Sequence, residues 1–186
     1  EVGKDAVWMD MAAPKDGRTF SEAEQAELYA AYGLTLADRP AGLEPQAVST
    51  GLMDILLPVK DLETLDRAVQ NEAEVTRLSQ RYDVVGVHMF CPNTPDAAAH
   101  CRNFAPLYAI PEEAATGTSN GALTYYLYRR GLIQAGADNR FVQGEKMGKP
   151  SEILSRITGD GDGVKVRVGG RALITLKCEL ITGEPT

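Results

Sequence analysis

At 186 residues the chain is long enough to bury one substantial core or two small lobes. Its composition, 44% hydrophobic and 24% charged, is ordinary for a globular protein, and a net charge of −7 with no basic stripe argues against a nucleic-acid binder. No apolar run approaches the roughly 18 residues that a membrane-spanning helix needs.

Three cysteines, Cys91, Cys101 and Cys178, give an odd count and no disulfide framework, which points to a reducing, cytoplasmic setting. The chain opens Glu1-Val2-Gly3-Lys4 with neither an initiator Met nor a signal-peptide pattern, as expected of a processed protein or a fragment.

In chain order, Val7 to Met11 reads as a short strand stopped by Pro14 and the Lys15-Asp16-Gly17 turn. Ser21 with Glu24 three residues on forms a capping box, so a helix is predicted to about Tyr32, with Gly33 as its stop. Residues 34 to 48, with Pro40, Gly42 and Pro45, read as a connecting stretch, and a lobe boundary is expected there: residues 1–47 as remnant and linker, residues 48–186 as the main lobe.

Leu52 to Val59 predicts a strand. From Asp61 to about Gln80, Leu62, Leu65, Val69, Ala73 and Leu78 recur at helical spacing and predict one helix. Asp83 to Phe90 predicts a buried strand, followed by a loop region around Pro92, Pro95 and Pro106. Ala122 to Ile133 is apolar almost all round, as a buried helix must be. Val164, Val166 and Val168 alternate with Lys165 and Arg167, as in a half-buried strand. The run Gly159 to Gly163 is expected to turn the hairpin before that strand, and Gly169-Gly170 to turn a second one into Leu173–Leu180. The predicted class is α+β, a strongly bent sheet around one central helix.

The segment Glu112 to Gly121 carries the most chemistry. Small residues ahead of a buried helix leave backbone N–H groups free, and with the helix dipole these favour an anion such as a carboxylate or phosphate. Glu113 is spaced to sit beside that anion and handle a proton. An ordinary capped helix with solvated glutamates accounts for the same residues.

His88, Cys91, His100 and Cys101 are four potential zinc ligands, but along a strand His88 and Cys91 point to opposite faces, and His100 and Cys101 lack the usual gap between paired ligands. No metal is expected there. Asp160 and Asp162 suggest part of a calcium loop, yet Arg171 stands where a bidentate Glu is needed, and a tight hairpin explains the glycines. No Gly-x-Ser-x-Gly elbow is present, and Cys178 reads as core.

Three segments together resemble the PhzF-like family of isomerases. They are Arg102-Asn103-Phe104-Ala105-Pro106 with Ile110 to Gly121, then Gln143-Gly144-Glu145-Lys146-Met147-Gly148-Lys149-Pro150-Ser151, and Val166-Arg167-Val168-Gly169-Gly170-Arg171-Ala172. The resemblance runs from about residue 48 to the C-terminus and implies the diaminopimelate epimerase-like fold, in which two curled-sheet lobes meet at an active-site cleft. It implies an isomerase or epimerase that moves a proton on a small carboxylate-bearing substrate, with no cofactor. The catalytic Glu and the Gly-His-Pro/Ala-Thr motif of the preceding lobe have no counterpart in this sequence, so a missing N-terminal lobe, in the same protein or on a separate chain, is the implied partner. Carried over position by position, the resemblance implies catalytic roles for Glu113 and Thr118, with Thr116, Gly117, Thr118, Ser119 and Asn120 binding substrate. Glu113 and Thr118 depart from the family's Asp and Ser, and Ala114 from its Pro, so a non-catalytic anion-binding module is the alternative. A homodimer through an exposed sheet edge is compatible with either.

Overall fold

The structure, a computed structural model, describes residues 6–179. Ten strands and four α-helices follow one another as β1 (Val7–Asp10), β2 (Lys15–Thr19), α1 (Glu22–Ala30), β3 (Gln46–Ser49), β4 (Met53–Pro58), α2 (Leu62–Arg67), α3 (Glu72–Tyr82), β5 (Gly86–Pro92), β6 (Ala99–Ala105), β7 (Ile110–Glu113), α4 (Gly117–Arg129), β8 (Asp138–Gln143), β9 (Ser151–Thr158) and β10 (Lys165–Gly170). They form one sheet in the order β1-β10-β9-β8-β6-β5-β4-β3-β2, with β7 pairing β6 off this path. Only the β4–β5 and β6–β8 pairs are parallel. The expected curved, mostly antiparallel sheet around a central helix is what the chain forms: α4 touches β9 and β10 toward one end of the order and β3 and β4 toward the other, so the sheet bends around it.

Alternation along the strands sends side chains to two cores on opposite faces. Ile55, Leu57, Met89 and Cys91 join Leu28, Tyr29, Val75 and Leu78 of the outer helices. Leu56, Phe90 and Cys101 face Ala122, Leu123 and Tyr126 of α4. The segment before residue 48 contributes β1, β2 and α1 to this same sheet and to the outer core, and β3 crosses the lobe boundary expected there.

Helix α1 starts as its capping box dictates: Ser21 accepts from the Glu24 amide, and Glu24 accepts from the Ser21 amide. Three expectations are corrected. The single helix over 61–80 is two, because Asn71 accepts from the Glu74 amide and starts α3 afresh, leaving Val69 exposed. The loop expected after residue 91 contains β6, whose seven residues are all buried and whose polar members are satisfied by partners far away in sequence. The second hairpin is absent: residues 171–179 form no strand, while Leu180 lies outside the described residues. Gly169 and Gly170 lie within β10, opposite Trp8 and Val7 of β1. A Cβ on Gly169 would stand 2.7 Å from the Trp8 ring, so this glycine permits a close strand approach and makes no turn. The first hairpin is as expected, with Lys165 opposite Thr158.

Candidate active site

Strands β7 and β8 occupy the same edge of β6, end to end. Glu113, the last residue of β7, lies opposite Asn103, and Gln143, the last residue of β8, lies opposite Cys101. Helix α4 begins beside this junction. Its N-cap, Thr116, makes no side-chain capping bond, because its hydroxyl donates to the Glu113 carboxylate. Among the described residues the amides of Gly117, Thr118 and Ser119 have no hydrogen-bond acceptor, as the first turn of a helix dictates when nothing caps it.

The other expected ligand contacts divide. Ser119 is buried, and its hydroxyl donates to Asp54 Oδ2 at 2.6 Å. Asn120 is fully buried: its amide donates to the Thr116 carbonyl at 3.2 Å, and its side chain donates to Thr116 O and to Gln143 Oε1, both at 2.9 Å. Asn120 is therefore a strut inside the fold with its side chain engaged there, and the Ser119 hydroxyl is likewise engaged. Glu113, Thr116, Gly117 and Thr118 are half-buried at the rim.

Beneath them lies a polar layer. Gln143 Nε2 donates to Glu113 O at 2.7 Å and to Thr116 Oγ1 at 3.0 Å. Thr124 donates to Asn120 O and accepts from the Ser155 hydroxyl of β9, and Thr50 donates to the Thr118 carbonyl at 3.0 Å. Asp54 is buried at the start of β4. Desolvation pushes its carboxyl up to about 6, and the charge of Glu113 adds to that, against the hydrogen bonds from Ser119 and from the Gly86 backbone. His88 donates its Nδ1–H to Asn103 Oδ1 at 3.0 Å, and burial pushes its imidazole down to about 4.

A cavity of about 750 Å³ opens against this entrance. Its walls include Ala115 and Gly117 of the α4 approach, Ile153 of β9, and Val168 and Gly169 of β10; Glu113 and Thr118 do not line it. The suspected zinc ligands separate: Cys91 joins the outer core and Cys101 the α4 core, while His100 is held between Asp96 and Glu145. Among the described residues no group of three His, Cys, Asp or Glu side chains could hold a metal ion, and no helix is long and apolar enough to cross a membrane.

Arg102, Asp54 and Gln143 carry this geometry, and the sequence singled out none of them for a role of its own. Asp54 had a visible signal, a lone acid inside the apolar run Leu52 to Val59, where an unpaired carboxylate is seldom buried. Arg102 opens the first of the resembling motifs, but its role was not readable there, since its partners Glu112, Leu65 O and Ala68 O come together only in the fold.

The family described as phenazine biosynthesis-like protein matches residues 2–178. The chain belongs to that family. An uncharacterized isomerase of Deinococcus radiodurans is 33% identical over 176 residues, 92% of this chain and 56% of the relative's length. A trans-2,3-dihydro-3-hydroxyanthranilate isomerase of Pseudomonas chlororaphis is 37% identical over 73 residues, 39% of this chain and 26% of that protein. Among solved structures, a predicted epimerase from Pseudomonas aeruginosa superposes with a TM-score of 0.77 at 28% identity, covering 98% of this chain and 61% of that one. The diaminopimelate epimerase-like fold that the phenazine biosynthesis-like motifs implied is the fold found. The chain spans little more than half the length of the curated relatives it matches along most of its length. The family match, running from residue 2 to residue 178, lends no support of its own to a missing N-terminal lobe.

Proposed function

We propose that the entrance of α4 binds the carboxylate of a small substrate, and that Glu113 exchanges a proton with that substrate in an isomerase or epimerase reaction. The observation that carries this reading is the set of three acceptor-free amides at Gly117, Thr118 and Ser119, the first of which lines a cavity of about 750 Å³. Three N–H groups and the positive end of a thirteen-residue helix stabilise an anion without any cationic side chain. The relative from Pseudomonas chlororaphis supports the class of reaction, since the compound in its name bears a carboxylate and is isomerised.

Thr118 has two parts in this reading. Its amide contributes to the anion site, and its hydroxyl donates a hydrogen bond to the substrate. Proton shift between two carbons needs an acid and a base on either side of the substrate. In this reading Glu113 is one of them, and the other is the further Glu that the family resemblance implies across the cleft. A non-catalytic anion-binding module is the second reading, favoured by the hydrogen bond from Thr116 that engages the Glu113 carboxylate.

Calorimetric titration with benzoate tests the anion site. Thr118→Pro removes one amide at a position where the first turn tolerates proline, and binding is expected to weaken on the order of tenfold. Unaltered affinity in that variant refutes the site. Solvent-deuterium incorporation into the dihydrohydroxyanthranilate substrate tests the chemistry: Glu113→Gln should abolish incorporation while benzoate still binds. Incorporation that survives this change removes Glu113 from the reaction, and binding with no incorporation in a longer protein that also carries the second Glu selects the module.

A further inference from the structure

His100 stands in β6 with a carboxylate at each ring nitrogen. Nδ1 lies 2.6 Å from Glu145 and Nε2 3.0 Å from Asp96, and the ring is buried between them. Only an imidazolium has two N–H groups, so it alone can donate to both acids. Glu145 opens the helical turn Glu145–Met147, which follows Gln143 and Gly144 at the end of β8. No residue of that turn is buried. Its charged side chains reach the rest of the fold at two points, Glu145 at His100 and Lys146 at Asp66 of α2, 3.0 Å away. A cavity of about 220 Å³ between α2 and the turn, with Leu62, Leu65 and Arg102 in its walls, leaves the turn room to move. We propose that His100 is a proton-operated clamp: charged, it fastens the turn Glu145–Met147 and with it the end of β8; neutral, it releases Glu145.

The two acids are not equally free to move. Arg140 donates to the Asp96 carbonyl at 2.8 Å and to its carboxylate at 3.3 Å, and the Ala98 amide donates to the Arg140 carbonyl, so the segment carrying Asp96 is held whatever the ring does. Among the described residues the Glu145 carboxylate meets no cation but His100. When the ring loses one proton, the other stays on Nε2 against the fixed acid, and Nδ1 turns a lone pair toward Glu145. Repulsion then displaces the partner that can move. From β5 the residue opposite His100 is Cys91, whose thiol burial pushes up to about 11, and from β8 it is Val142, so neither is charged near neutral pH. On the cavity side Arg102 is occupied by Glu112, and Lys146 by Asp66. Burial by itself pushes the His100 imidazole down, but the hydrogen bonds and charges of Glu145 and Asp96 outweigh it and hold the imidazole above its ordinary 6.5. The clamp is closed below 6.5 and opens as the pH rises through that higher value. Its path to the candidate site is short. Gly144 is packed so closely that a Cβ there would stand 2.7 Å from the Ala114 carbonyl, and Gln143 bonds both Glu113 and Thr116.

The chain has two histidines, and His88 is neutral above about pH 4, so nitrogen NMR follows His100 alone near neutral pH. Its midpoint should lie above 6.5, with the proton on Nε2 once the ring is neutral. A midpoint at or below 6.5, or a neutral ring protonated on Nδ1, overturns the clamp. Hydrogen exchange reads the turn itself, through the Met147, Gly148 and Lys149 amides that close it. Their protection should fall on the order of tenfold as the pH passes the His100 midpoint. Glu145→Gln, at an exposed position, should abolish that step, because an amide group can accept from the imidazolium or donate to the bare Nδ1. Protection indifferent to the midpoint, or a step that persists in Glu145→Gln, overturns the proposal. The reach of the clamp to α4 rests on the proposed anion site. Benzoate should bind about fivefold more weakly above the midpoint in the unaltered protein, and equally on both sides of it in Glu145→Gln. Affinity indifferent to the midpoint overturns that reach. Failure to bind benzoate at any pH sinks the anion site and not the clamp, which hydrogen exchange decides.

Discussion

Gln143 donates its side-chain amide to the carbonyl oxygen of Glu113 at 2.7 Å, tying the end of β8 to the end of β7 where the two strands meet along β6. The same amide reaches Thr116, and the Gln143 carbonyl oxygen receives Asn120. One buried side chain thus joins both strand ends and the first turn of α4, so the geometry of the candidate site depends on a residue that does not face it.

Gln143→Leu should therefore loosen the site as well as the fold. It leaves the Glu113 carbonyl unpaired in a buried place, and a cost of about 2–3 kcal/mol is expected in urea unfolding at unchanged m-value. Benzoate binding should weaken in parallel.

Arg102 holds Glu112 with two bonds of 2.9 Å and donates to Leu65 O at 3.0 Å and Ala68 O at 2.8 Å, closing the end of α2. Truncation to Met strands a carboxylate and two carbonyls at once. Arg102→Met should cost about 3–5 kcal/mol by denaturant unfolding, and Arg102→Lys a large part of that, because an ammonium cannot reproduce the planar fork.

Gly121 lies against Thr50, the residue that follows the end of β3: a Cβ there would stand 2.7 Å from Thr50 Oγ1. Gly121→Ala is expected to destabilise by about 1–3 kcal/mol. Thr50→Ala in the same chain should recover part of that loss, and a double-mutant cycle measures the recovery. Strict additivity would show that the contact with Thr50 is not the cause.

Stability should change with pH through Asp54 in a definite direction. Its folded-state carboxyl is raised to about 6, from 3.8, by burial first and by Glu113 second. The folded state therefore holds this proton more tightly than the unfolded state. The stabilisation is complete below the unfolded value and is lost as pH rises through about 6. Asp54→Asn removes the loss, so relative to the unaltered protein it should gain on the order of 2–3 kcal/mol between acid and neutral pH. His88 acts oppositely: kept neutral in the fold, with its imidazole lowered from 6.5 to about 4, it contributes stability above 6.5 that fades as pH falls. It titrates in both proteins and drops out of their difference. A difference between the two urea midpoints that stays constant across pH would show that Asp54 ionises normally.

Much of this molecule is local and was readable in the sequence. The Ser21–Glu24 box, the alternation at Val164, Val166 and Val168, the apolar helix after Gly121 and the small residues leading into it each depend on neighbours a few positions away. Those signals, with three spaced motifs, determined the family and the fold class. The tertiary structure decided the rest, for reasons of pairing over distance. β6 reads as a loop because its polar residues are satisfied by partners that the fold brings to them, among them His88, Glu145, Glu112, Leu65 O and Ala68 O. Gly169-Gly170 reads as a turn because only the arrival of Trp8 shows why side chains are excluded there. Asp54 reads as an anomaly in a strand until Ser119, 65 residues away, supplies the hydrogen bond that lets a carboxylate lie under the helix entrance. Periodicity and capping are properties of a short segment; which buried polar groups meet is a property of the closed sheet.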